Sequence, residues 1–216
     1  FQGTAFQMKA GERRLAEVAF RHAEAFQRAD GSPSWAYKIN LFALRADDWE
    51  ATNLSATDDS PSSITNPGGY DAVNRYGDEI AYNDGGDVKT YAGIGNYHRR
   101  GIEEDELVDY NTENLKIASA VHYKTRTGIE GIYSFNFGTG TTVYQGDNRF
   151  SLKDILFLQN RVELRKEDKW FLRAYTTHED AGKTYDAYFT ALRMQDSVLN
   201  DGFWANQYRS FWTIFQ

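Results

Sequence analysis

"NLKIASAVHYKTRTGIEGIYSFNF", residues 114–137, is the stretch whose reading decides the fold. Leu115, Ile117, Val121 and Tyr123 share one parity, while Lys116, His122, Lys124 and Arg126 share the other. The pattern breaks at Thr127-Gly128 and resumes with Tyr133, Phe135 and Phe137 set against Ser134 and Asn136. Side chains alternate sides along an extended chain, so strict alternation of apolar and polar residues reads as a strand with two different faces. Two such runs around a Thr-Gly break read as a hairpin.

The same alternation recurs on both sides of this hairpin. "RLAEVAFRHAEAF" places Ala16, Val18, Phe20 and Phe26 on one face and Glu17 and Arg21 on the other. "WAYKINLFALRADDW" sets Trp35, Tyr37, Ile39, Leu41 and Ala43 against Lys38 and Asn40. "ILFLQNRVELRKED" sets Leu156, Leu158, Val162 and Leu164 against Gln159, Arg161, Glu163 and Arg165. With "FQGTAFQMK" at the start and "WFLRAYTT" after residue 169, seven candidate strands are counted.

The links between them fall into two classes. "QRADGSPS", "TRTGIE" and "KEDK" are short and polar, whereas residues 48–113 and "GTGTTVYQGDNRFSLKD" are long excursions. Connections in compact soluble domains have a median of roughly 4–6 residues, so an excursion of this size is unusual there. Short turns at one end and long loops at the other is the layout of an outer-membrane barrel. Residues 51–113 hold 13 acidic and four basic side chains, so the net charge of -7 on the 216-residue chain originates in that one loop. After residue 183, Tyr185, Tyr188, Phe189 and Leu192 fall at helical spacing and mark a short helical segment.

Alternation alone does not choose between a soluble sandwich and a barrel. In lipid every backbone polar group needs a partner, which a closed sheet supplies, and this favours the barrel for a chain with such asymmetric loops. Leu115, Ile117, Val121, Tyr133, Phe135, Leu156 and Leu158 are then the lipid-facing positions. Trp35, Tyr37, Tyr123 and Trp170 lie next to the short turns, where an aromatic girdle belongs. Lys116, His122, Lys124, Arg126, Arg161, Glu163 and Arg165 become lumen-facing candidates, placed to contact a plug or to pair with Glu130 and Glu163 in the wall.

The segments "KINLFALRADDWEATN", "RGIEEDELVDYNTENLKIASAVHYK" and "IEGIYSFNFGTGTTVYQGDNRFSLKDILFLQNRVELRKEDKWFLRAYTTHEDAGKTYDAYFTAL" together resemble the first part of the barrel of TonB-dependent outer-membrane receptors, in particular those with a carboxypeptidase-regulatory-like domain ahead of the plug. The resemblance implies a barrel of about 22 strands enclosing a plug. It also implies energy-coupled import of a bulky nutrient: an iron chelate, cobalamin, an oligosaccharide or a peptide. The implied partners are outer-membrane lipid, the rest of the barrel with its plug, the TonB complex and a surface lipoprotein lid. No segment here reads as a plug or a TonB-contacting box, and Phe1 opens the chain without an initiator Met, so the sequence reads as a piece of a longer or processed protein.

No catalytic or cofactor constellation stands out. His22, His98, His122 and His178 are scattered, there is no cysteine, and they read as exposed or lumen-facing polar residues. "NDGGD" at 83–87 and Asp58-Asp59 hint at calcium but lack the full loop pattern, and read as solvated acids. "GTGTTVYQGDN" lacks the ending of a phosphate loop and reads as a strand end and loop. Asp47 with Asp48, or the run Glu103–Glu106, has the residue type but not the setting of a glycosidase pair. An acidic chain without a basic stripe argues against a nucleic-acid partner.

The expectation is therefore an all-β chain: residues 1–183 as an antiparallel transmembrane β-barrel segment of about seven strands, carrying the extracellular loop 48–113, and residues 184–216 as an aromatic-rich, partly helical extracellular segment. The function expected is transport at the cell outer membrane, with no enzymatic activity and no cofactor. The alternative is a soluble β-sandwich that binds glycans through Trp49, Tyr70 and Tyr82.

Overall fold

A computed structural model describes residues 2–215. The chain is mostly antiparallel β and divides into two compact units. The first contains residues 1–48, 110–143 and 152–184, and the second contains residues 49–109, 144–151 and 185–216.

The elements run in the order β1 (Gly3–Ala10), β2 (Ala16–Gln27), β3 (Pro33–Asp47), β4 (Arg75–Tyr76), β5 (Ala81–Tyr82), β6 (Tyr97–His98), β7 (Ile102–Glu103), α1 (Glu104–Leu107), β8 (Asn111–Lys124), β9 (Ile129–Gln145), β10 (Arg149–Lys166), β11 (Trp170–Asp180), β12 (Tyr185–Asp186), α2 (Ala187–Val198) and α3 (Asp201–Ile214). All seven long strands lie in one sheet, ordered β1-β2-β3-β8-β9-β10-β11. The sheet is not closed: β1 and β11 are its two edges.

Register aligns the apolar parities of successive strands. Phe6 faces Phe20, Phe20 faces Leu41, Leu41 faces Ile117 and Ile117 faces Phe137, giving one apolar row across five strands. Windows 18–26, 35–43 and 115–123 are flush, because Phe26 pairs with Trp35 and Trp35 with Tyr123, while Val18 pairs with Ala43 and Ala43 with Leu115. At roughly 3.4 Å per residue each window runs about 27 Å along its strand. Nine to 11 tilted residues is roughly the length that crosses a bilayer.

Burial on this sheet is inverted. Met8, Val121 and Val162, all on the apolar parity, are 69%, 47% and 50% exposed, whereas the sheltered positions Ala23, Ala120, Ile132 and Glu163 all lie on the opposite parity. In a water-soluble sheet the sheltered face is the apolar one.

Short turns at 28–32, 125–128 and 167–169 share one end of the sheet. Gly128 sits in the middle one at φ 81, a left-handed conformation open to glycine. The breaks after β3, between β9 and β10 and after β11 fall at the other end. The excursion expected at "GTGTTVYQGDNRFSLKD" is corrected: β9 runs for 17 residues and β10 for 18, and only residues 146–148 lie between them. Thr139, Thr141, Thr142, Val143 and Tyr144 are good strand formers, and they outweigh Gly138 and Gly140.

In the second unit β4 pairs with β7 and β5 with β6. Its core is aromatic: Ile94, Tyr97 and Ala205 are buried, with Tyr82, Tyr91, Trp204, Tyr208 and Trp212 packed around them. Tyr97 stacks on Tyr208 at 4.4 Å between ring centroids. The stretch 49–109, expected as a solvated excursion, therefore packs with residues 185–215 around shared apolar side chains.

The single short helix expected near the C-terminus is two helices. Asp186 caps α2 by accepting from the Phe189 amide at 3.0 Å, and Asn200 caps α3 by accepting from the Phe203 amide at 2.9 Å. The buried face of α2 is Ala187, Ala191 and Gln195, while Phe189, one of the aromatics that revealed the helical spacing, is exposed.

A Gly128→Val replacement forces a β-branched side chain into the left-handed region, and about 1–2 kcal/mol of stability is expected to be lost. Denaturant unfolding of the two proteins side by side measures it.

Candidate functional site

The polar parity of the large sheet carries an ionic network. Arg165 donates to Oε2 of Glu130 from Nε at 2.9 Å and from Nη2 at 2.7 Å. His122 Nδ1 lies 3.0 Å from the other Glu130 oxygen. Glu163, 3% exposed, accepts from Arg173 Nε at 2.7 Å and has Arg161 and Arg165 each at 3.8 Å. Two sheltered carboxylates are thus held by three guanidiniums and an imidazole. Arginine suits this work because its planar fork spreads several donors around a carboxylate.

Four of the seven lumen-facing candidates, His122, Arg161, Glu163 and Arg165, meet in this network, together with Glu130. Lys124 is the register partner of Glu130 at the sheet's short-turn end. Lys116 stands apart, its Nζ 5.8 Å above the ring of Phe42. Arg126 lies in the 125–128 turn, 4.0 Å from Asp30. Arg173, which alternates with Trp170 and Leu172 and so falls on the polar parity of β11, joins the network although it is not among those seven candidates. Its register partner Glu163 was the available signal, legible once β10 and β11 are paired.

The opposite face also carries order at the short-turn end. Phe26 stacks on Trp35 at 4.2 Å, Trp35 lies 5.7 Å from Tyr37, and the Arg28 guanidinium sits 5.9 Å from the Tyr123 ring. Higher up, the expectation for His22 as an exposed or lumen-facing residue is corrected: it is half-buried on this apolar face, beside Ile39, with its ring nitrogens 2.8 Å from Thr4 Oγ1 and 3.0 Å from Tyr37 Oη.

The other candidates have structural occupations. Asp47 pairs with Arg14. Asp48 accepts from Thr112, Thr142 and the Val143 amide. Asn83, Asp84 and Asp87 accept from the amides of Gly85, Gly86 and Thr90, so they brace their own loop. His178, Glu179 and Asp180 are consecutive on β11, which sends them to alternate faces. Among the described residues no three His or acidic side chains converge to hold a metal. Of the three aromatics named for glycan binding, Trp49 is exposed, Tyr70 donates to the Leu54 carbonyl at 2.8 Å, and Tyr82 packs in the aromatic core.

Two expectations for the second unit are corrected. His98 is buried, not exposed: Nδ1 lies 2.7 Å from the Asp78 carbonyl and Nε2 lies 3.0 Å from Ser62 Oγ. The acidic stretch is also not wholly solvated, because Asp78 and Glu104 are buried. Glu104 accepts from Tyr76 at 2.6 Å and from Arg149 Nε at 2.8 Å. Asp78 pairs with Arg75, and its second oxygen has no hydrogen-bond partner among the described residues. Burial pushes the Asp78 carboxyl up to about 6 against the pull of Arg75. Burial and the hydrogen bond to Glu104 push the Tyr76 hydroxyl upward too. Arg75 and Asp78 are three residues apart, but the partners of Glu104 and His98 lie far away in sequence, so no local pattern announces those.

No family model, no curated protein and no solved structure matches the chain.

Two outcomes are expected from the second unit. Asp78 binds its proton more tightly folded than unfolded, so its contribution to stability is full below about pH 4 and falls as pH rises through about 6. The loss is on the order of 3 kcal/mol. Unfolding of the wild type and Asp78→Asn between pH 4 and 7 measures it, and the variant has the flatter profile. Arg149→Ala strands the Glu104 carboxylate in the interior and is expected to cost about 3–5 kcal/mol, read by the same method.

Proposed function

We propose that this chain is a wall segment of a transmembrane β-barrel in the cell outer membrane, part of a TonB-dependent receptor that imports a bulky nutrient. The observation that carries the membrane half of this reading is the inverted sheet: apolar side chains exposed in flush rows on one face, carboxylates sheltered and paired with arginines on the other. Lipid is the solvent in which that arrangement is stable. The apolar windows are about a bilayer core long, and the aromatic cluster of Phe26, Trp35, Tyr37 and Tyr123 stands at one end of them, where an interfacial belt belongs.

The open edges β1 and β11 support the same reading, since strands in hydrocarbon need partners on both sides. Those partners are further strands of the same barrel. The receptor half rests on the sequence resemblance: a plug in the lumen, energy from the TonB complex, substrate capture at the cell surface under a lipoprotein lid, and no catalysis by this chain. In this reading the Glu130–Arg165 and Glu163–Arg173 pairs stiffen the wall against a watery lumen.

The test is a pair of neighbouring substitutions on β3. Leu41 lies on the apolar parity and Asn40 on the polar one. Leu41→Arg is expected to weaken insertion into lipid vesicles by roughly 2–4 kcal/mol, while Asn40→Arg leaves it nearly unchanged. Equal effects at the two positions, or a monodisperse chain in buffer without detergent, overturn the proposal.

A further inference from the structure

The polar face of the sheet holds a hollow of about 770 Å³ over β8–β11, away from the Glu130–Glu163 network. Its floor is Gly138. This residue has an ordinary negative φ, and a Cβ built on it meets nothing within 4 Å, so neither backbone conformation nor packing requires glycine there. Glycine inside a strand weakens it, and one setting that retains it is the close approach of a ligand to the backbone. Gly140 differs: its Cβ would come within 2.8 Å of the Glu113 carbonyl, which accounts for it by packing.

The walls carry opposite charges. Lys116 faces Gly138 across β8 and β9, and Glu179 faces Phe157 across β10 and β11. Both are exposed, and neither has an ion-pair partner among the described residues; the Lys116 ammonium rests 5.8 Å over the Phe42 ring of β3 and turns toward Gly138 to reach a ligand. Phe157 breaks the polar parity with an aromatic ring 39% exposed, and Asn114 and Asn136 add amides. An ammonium, a bare floor, an aromatic and a carboxylate thus follow one another across four strands.

The geometry points to a binding site for a short zwitterionic peptide, its carboxylate on Lys116, its ammonium on Glu179 and an apolar side chain on Phe157. Three inter-strand steps of about 4.8 Å separate β8 from β11, roughly 14 Å. An extended peptide advances about 3.3–3.6 Å per residue, so about four residues span the hollow. The site names the nutrient class of the transport reading above and rests on it for its meaning. Binding itself is measured on the folded chain, so loss of membrane insertion and loss of peptide binding are separate results.

Calorimetric titration in detergent with tetra-alanine, its N-acetyl form, its C-terminal amide and maltotetraose tests the site. Tetra-alanine is expected to bind, and either cap to weaken it about tenfold, the size of one charge-assisted contact. Lys116→Ala should remove the response to the amide cap alone, and Glu179→Ala the response to the acetyl cap alone. Gly138→Leu should abolish binding with strand content intact by circular dichroism, and Gly138→Ala should weaken it should the leucine variant misfold. Equal binding of capped and free peptides, no binding of tetra-alanine, a preference for maltotetraose, or wild-type binding by a folded Gly138→Leu overturns the proposal.

Discussion

The strand register is the constraint on which the rest depends. Side chains alternate along a strand, so a one-residue slip between β3 and β8 would exchange every partner on both faces. Leu41 would leave the row it shares with Phe20 and Ile117, and Ala36 would lose His122 as its partner. Two independent requirements lock the register. The apolar windows must end level with one another, and Glu130, reached by Arg165 from β10 and by His122 from β8, must sit between them. A slip of two residues preserves parity, yet between β3 and β8 it leaves the apolar windows uneven, and at β9 it carries Glu130 away from His122 or Arg165.

The sheltered ionic face shows what that register makes affordable. A carboxylate withdrawn from water is strongly disfavoured unless charged donors surround it. Glu163 has three arginines around it, and Glu130 has one arginine held by two hydrogen bonds. The second unit solves the same problem by other means. Glu104 is held by Arg149 and a tyrosine hydroxyl, whereas Asp78 has a single arginine, and its burial pushes the carboxyl up to about 6.

Much of the sheet was legible in the sequence because period-two alternation is a local signal. All seven long strands were found from it, and so was the division of β3 and β8 into two faces. The glycines of "GTGTTVYQGDN" suggest a loop, and only its threonines, Val143 and Tyr144 show that the strands continue. The acidic stretch 49–109 was the least legible part. Its order depends on contacts such as Tyr97 with Tyr208 and Glu104 with Arg149, which join segments separated by many residues and leave no periodic trace. At the ionic network the residue types were visible, but Arg173 needed the β10–β11 pairing before its role could be read.

Exposure of one apolar face and shelter of one ionic face make a claim about solvent, and solvent is what a nitroxide reports. Labels placed singly along β3 from Trp35 to Asp47, with the chain in lipid vesicles, would be challenged with oxygen, which concentrates in hydrocarbon, and with a water-soluble nickel chelate. Collisions with oxygen are expected to peak at odd positions from Trp35 to Ala43 and the nickel signal at even ones, with the alternation fading beyond Leu44. Odd and even positions equally open to nickel along the whole strand would contradict this expectation.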